Sequence, residues 1–169
     1  MATSLIAKIA LSIGATLASS LDVGEGKYEI AFNPSVKLNN GIGANQAKEA
    51  FTDTRTLAAS ASEELDLSGS LLDAFGATIL FTKVKAIVVV AAKGNVNDVV
   101  IGGAASNAWA TPFGDATDTV KVPPGGFLAL TAPGAAGFAV IPGTGDKLKI
   151  ANGGAGSGVD YTIIVIGVV

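Results

Sequence analysis

The sequence predicts an all-β protein, an antiparallel β-sandwich of jelly-roll type preceded by an N-terminal β-rich arm. Three observations predict it. From Ser62 to Val169, short Val/Ile/Leu runs are interrupted at close intervals by Gly- and Pro-rich turns, the spacing of sandwich strands. None of the gaps carries an amphipathic helical pattern, and gaps this short favour antiparallel pairing over parallel crossovers. The chain is 49% hydrophobic, yet no stretch reaches the roughly 18 apolar residues of a spanning helix, so the apolar content belongs to a core and to covered surfaces.

The elements follow in order. Leu5, Ala7, Ile9, Leu11 and Ile13 recur at period two and read as a strand. A signal peptide is the weaker reading of this stretch, because Lys8 lies inside it and no charge precedes it. Val23 to Gly26 supplies a turn, after which Tyr28, Ile30 and Phe32 alternate with Lys27, Glu29 and Ala31 as a half-buried strand ending at Asn33-Pro34. Val36 to Leu38 makes a short strand before the turn signal Asn39-Asn40-Gly41. Ala44 to Phe51 reads as one or two helical turns, and Thr52 to Ala58, rich in β-branched residues, returns to strand. Residues 1–60 are thus a β-rich segment or arm, and residues 61–169 the sandwich domain.

In that domain Leu65 and Leu67 mark a strand, and Ser70 to Phe75 a turn or short helix. Ala77 to Val90 is the longest candidate, with a bulge expected near Thr82 to Lys85, where the apolar alternation changes parity. Val99 to Ile101, Val120 to Val122, Phe127 to Leu130, Phe138 to Ile141, Leu148 to Ile150 and Tyr161 to Val168 complete about eight strands. The last run is almost continuously apolar and reads as covered on both faces.

Composition narrows function. The net charge of -3, with scattered Lys and Arg, argues against nucleic acid as a partner, because phosphate binding relies on clustered cations. Lys83 and Lys85, the densest basic pair, read as a solvated strand face. Without histidine there is no imidazole base, and without cysteine there is no thiolate nucleophile, disulfide or sulfur ligand for zinc. The reading is that the chain is not an enzyme, holds no cofactor or metal and binds no membrane. Only 15% of residues are charged, against roughly 25% in typical soluble domains, which points to an exterior partly covered by copies of itself: a homo-oligomer, dimer or trimer.

Motifs that superficially suggest chemistry have plainer readings. Glu63 and Glu64 point to opposite faces if extended and read as solvated charges. Gly114 to Asp118 lacks the ligand density of a calcium loop and reads as an Asx-turn. Gly41-Ile42-Gly43 and Gly143 to Lys147 have neither the spacing nor the following helix of a phosphate loop. Trp109, the single tryptophan, sits in a loop with Phe113. It reads as a plug for one end of the core, with an intersubunit contact and a carbohydrate platform as alternatives. Trp109, Phe113 and Phe127 are the candidate interface residues.

The run TDTRTLAASASEELDLSGSLLDAFG at Thr52–Gly76, followed by VVIGGAASNAWATPFGDATDTVKVPPGGFLALTAP at Val99–Pro133, resembles small structural proteins of tailed-bacteriophage virions. The resemblance implies a capsid decoration or cement protein on the capsid surface, made in the host cytoplasm. Its partners would be the major capsid protein and its own copies, with Met1 to Thr56 as the reaching arm. A head fibre, tail part or receptor-binding module recognising host-surface glycan is the alternative. No functional residue is carried over by the resemblance.

Overall fold

The structure, a computed structural model, describes residues 4–169; the first three residues of the expected arm lie outside it. Among the described residues every regular element is a strand. Four come first: β1 (Ala7–Ala10), β2 (Ile13–Ser20), β3 (Glu25–Phe32) and β4 (Ser35–Asn40). The short β5 (Gln46–Ala47) leads into β6 (Glu49–Leu57) and β7 (Ser62–Asp66). After a stretch of turns come β8 (Lys83–Ala91), β9 (Val99–Gly102), β10 (Thr119–Val122) and β11 (Phe127–Thr131), then the two-residue β12 (Phe138–Ala139). The chain ends with β13 (Lys147–Asn152) and β14 (Val159–Val168).

The body is a sandwich. One sheet has the order β10-β9-β13-β7, the other β11-β8-β14-β6, with β12 continuing the β11 side of β8; all these pairings are antiparallel. Alternation sets which side chains meet between the sheets. Ile87, Val89, Ile163 and Val165 face inward from one sheet, and Leu65, Ile101, Leu148 and Ile150 from the other, all buried in one contiguous core. Phe81 and Ile79, from the turn-rich stretch before β8, also reach into this core.

β6 belongs to this body rather than to an arm. It pairs with β14 from Leu57↔Val159 to Glu49↔Gly167, and Phe51 and Leu57 are core residues. The boundary expected at residue 60 therefore falls between two sandwich strands. Ahead of β6 stands a small sheet in the order β1-β4-β5, antiparallel for β1 with β4 and parallel for β4 with β5. Its buried Leu38 and Ala47, with the bond from Lys48 N–H to the Gly167 carbonyl (2.8 Å), tie it to the body. Between β1 and β4 the chain leaves this sheet to form the β2–β3 hairpin.

Several local expectations need correction. Ala44 to Phe51 is not helical: Asn45 adopts a left-handed conformation (φ 54°) in a turn, and the rest is β5 and the start of β6. The pairing that β14 offers to Lys48 and β6 outweighs the weak helical propensity of an alanine-containing stretch. The period-two run from Leu5 to Ile13 is split between β1 and β2 by Leu11-Ser12, where Leu11 N–H bonds the Pro34 carbonyl at 3.0 Å. The β3 strand is not half-buried; apart from Gly26 it is exposed throughout.

The bulge expected near Thr82 to Lys85 sits at Lys85. Ala86 faces Ile166 and Val84 faces Gly167, which leaves Lys85 without a partner on β14. Its side chain is not solvated: Lys85 is 0% exposed and its Nζ donates to the Gly134 carbonyl. Lys83 Nζ donates to the neighbouring Ala135 carbonyl at 3.1 Å. Burial, and Lys83 beside it, push the Lys85 ammonium below its ordinary range. The basic pair is a clamp on the loop between β11 and β12.

Candidate interaction surface

The hairpin formed by β2 and β3 is a two-stranded ribbon with two unlike faces. In register, Ile13 faces Phe32, Ala15 faces Ile30 and Leu17 faces Tyr28, so these six side chains share one side. Thr16 with Glu29, Ala18 with Lys27 and Ser20 with Glu25 form the other, where Lys27 and Glu25 make an exposed ion pair at 3.1 Å. The tip turns through Leu21 to Gly24, with Leu21 N–H on the Gly24 carbonyl (3.1 Å) and Gly24 in the positive-φ region. At the root, Ser12 Oγ donates to Asn33 Oδ1 at 2.7 Å. Every residue of β2 is exposed; Leu17 and Tyr28 are 70% and 65% exposed.

A second apolar surface lies on the outside of the β11-β8-β14-β6 sheet. Phe127, Val90 and Thr162 lie side by side across three strands, as do Ala129, Val88 and Ile164. β1 and β4 cover part of this face and leave a groove of about 620 Å³, lined by Ile9, Leu11, Pro34 and Val36 on one side and Val88 and Phe127 on the other. Phe127 at the groove, and Val90 and Ile164 beyond it, stay exposed. No charged residue belongs to either six-residue set, on the ribbon or on the sheet.

Of the three residues singled out from sequence, only Phe127 lies on this surface. Trp109 is 2% exposed and its Nε1 donates to the Ala139 carbonyl at 2.8 Å. Phe113 and Phe138 meet its ring edge-on, with centroids 6.3 and 6.2 Å away, and Phe113 is itself packed against the core. Trp109 therefore closes the core, as a loop plug does, and offers no face to a partner. The ribbon residues Leu17, Tyr28 and Phe32 were missed as site candidates. Their signal was in the sequence as an apolar alternation on both sides of a turn, but alternation does not tell a covered face from a bare one.

A polar seam closes one side of the sandwich. Glu63 shares the inward parity of Leu65 and is half-buried and paired rather than a free surface charge: Tyr161 Oη donates to Glu63 Oε1 at 2.7 Å and Arg55 Nη1 donates to Glu63 Oε2. Arg55 Nε also donates to Asp53 at 2.9 Å, and the guanidinium lies 5.8 Å from the Phe51 ring centre. Burial, followed by the hydrogen bond to Glu63, raises the Tyr161 phenol well above its ordinary range. Burial works against the Arg55 charge, but the bonds to Glu63 and Asp53 outweigh it and raise its pKa. Each of the two carboxylates holds the guanidinium, so the group acts as a structural clasp.

The Asp115 loop is the Asx-turn its sequence suggests. Thr117 N–H and Oγ1–H both donate to Asp115 Oδ1 at 2.9 Å, and Asp115 N–H donates to Asp118 Oδ2 at 3.0 Å. The backbone bond from Thr117 leads the lowering of the Asp115 pKa. Among the described residues no group of three or more acids is placed to hold a metal ion. No family model, curated protein or solved structure matches the chain significantly. The fold and its surface define the class alone: an all-β sandwich carrying a projecting amphipathic ribbon.

Proposed function

We propose that this chain is a structural protein of a bacteriophage virion that decorates and stabilises the capsid through repeated contacts with the shell and with its own copies. The observation that carries the reading is the bare apolar face of the β2–β3 ribbon, projecting from a sandwich with a second apolar face that β1 and β4 cover only in part. A two-stranded ribbon is marginal by itself in water, so an ordered one with Ile13, Leu17, Tyr28, Ile30 and Phe32 uncovered is built to be covered.

The sandwich order supports the same reading. Numbered among themselves in chain order, leaving out the two-residue β12, its eight strands run 6-3-8-1 in one sheet and 5-4-7-2 in the other. We read this as a jelly roll, an architecture used for viral capsid and lectin domains. Many weak contacts repeated around a symmetry axis add through effective concentration, so modest patches suffice for firm attachment.

The experiment is reconstitution on purified particles that lack the protein. The full chain should bind to saturation, and a chain in which residues 12–33 are replaced by a short Gly-Ser linker should bind with much lower occupancy. Unchanged occupancy would remove the ribbon from the attachment mechanism. The second reading, a fibre or receptor-binding module, draws on the lectin use of jelly rolls and on Phe127 beside the groove. It predicts binding of the isolated chain to host cells or surface polysaccharide.

A further inference from the structure

We infer that the ribbon of one copy lies on the outer face of the β11-β8-β14-β6 sheet of a second copy, so that copies are joined by exchanged arms. The inference deepens the assembly reading and rests on it, because it names the occupant of both bare faces.

Three features point to a second copy. The first is chemistry. The ribbon offers Ile13, Leu17, Tyr28, Ile30 and Phe32, completed by Ala15, and the sheet offers Val90, Phe127 and Ile164, completed by Val88, Ala129 and Thr162. The uncharged centres of the two faces exclude water from each other, Asp160 stays at the edge of the sheet patch bonded to Thr56 Oγ1, and the polar side of the ribbon with its Lys27–Glu25 pair stays in solvent. The second is shape. A two-stranded face laid on a sheet face is ordinary sheet-on-sheet packing, and the threonine row Thr52-Thr54-Thr56, with Asp160 beside Thr56, and Thr131 give the sheet patch a polar rim.

The third is area. The apolar face of the ribbon presents on the order of 500 Å², as much as the largest patch on a typical monomer. One arm on one sheet would bury on the order of 1,000 Å² in total, at the low end for specific contacts. If each copy both gives and receives an arm, a pair reaches on the order of 2,000 Å², the size of a stable interface. Exchange also uses both bare faces of every copy, which a one-way contact does not. The ribbon of this chain does not lie on its own sheet, since both its strands are exposed.

The test is sedimentation equilibrium of the full chain and two charge variants. One carries Leu17→Glu and Tyr28→Glu on the ribbon, the other Val90→Lys and Phe127→Lys on the sheet. The wild-type chain should associate at micromolar concentration. Each variant alone should dissociate at a concentration at least about 100-fold higher, because two large apolar contacts per arm are replaced by charge. An equimolar mixture of the two should recover a mixed dimer, since one arm contact is then wild-type and the other pairs Glu with Lys.

A wild-type chain that remains monomeric at about 100 µM would overturn the inference, as would association that the ribbon variant leaves unchanged. Trp109 fluorescence and circular dichroism report whether each variant keeps its core. Should the sheet variant misfold, Val90→Thr with Phe127→Ser replaces it and must still weaken association. Association of the free chain tests the exchange, whereas occupancy on particles tests the virion reading, so either can fail without the other.

Discussion

The phenol of Tyr161 on β14 donates a 2.7 Å hydrogen bond to the Glu63 carboxylate on β7, and so joins the two sheets of the sandwich at the side where Arg55 completes the clasp. Tyr161→Phe removes the donor while keeping the ring. It should lower unfolding free energy by about 1–3 kcal/mol in urea titrations at neutral pH, the effect of leaving one lone pair of a part-buried carboxylate unmet. No change would show that Arg55 alone satisfies Glu63.

The same bond predicts alkaline behaviour. Burial and Glu63 raise the Tyr161 pKa above its ordinary 10.0, so the folded chain keeps the proton where the unfolded chain begins to lose it. The stabilisation is complete below pH 10 and declines as pH rises further. The wild-type midpoint in urea should therefore fall more steeply above about pH 10 than that of Tyr161→Phe. Parallel slopes for the two proteins would contradict the shift.

Trp109 fills the end of the core between Phe113 and Phe138. Trp109→Ala should destabilise the fold by about 3–5 kcal/mol. Because this tryptophan is the chain's only one, its fluorescence should be blue-shifted in the folded state and move to the red on unfolding. An already red-shifted emission under native conditions would argue against the plug.

Glycine positions separate sandwich from ribbon. A Cβ at Gly167, beside the Lys85 bulge, would strike the Lys83 carbonyl and the Phe81 ring. Gly167→Ala should cost about 1–3 kcal/mol or block folding. A Cβ at Gly14 in the ribbon meets open space, so Gly14→Ala should leave global stability within about 0.5 kcal/mol. Thermal melts of the two variants make the comparison directly.

The sandwich was legible because its strands are amphipathic or wholly apolar, and their turns carry Gly, Pro and Asn. The eight strands from β7 onward fall on the apolar runs, although the run Ala77 to Val90 becomes strand only from Lys83, and even the bulge was visible as a change of parity. Less legible were contacts in which a distant element decides a charge. Lys85 looked solvated because sequence does not show the Gly134 carbonyl folding over it. Glu63 shares the parity of Leu65, which hinted at an inward carboxylate, but its partners Arg55 and Tyr161 come from other strands. The ribbon was half legible: its turn and alternation were there, whereas its exposure depends on the body offering it no surface within the same copy. Trp109 reads first as a plug for the end of the core and is buried as one, while Phe127 is exposed on the outer sheet face.

The most direct test of the central claim is quantitative mass spectrometry of purified particles, giving copies of this chain relative to the major capsid protein. A decoration protein repeated over shell symmetry should be present at hundreds of copies per particle. A count of about a dozen or fewer would place the chain in a fibre or tail part and contradict capsid decoration.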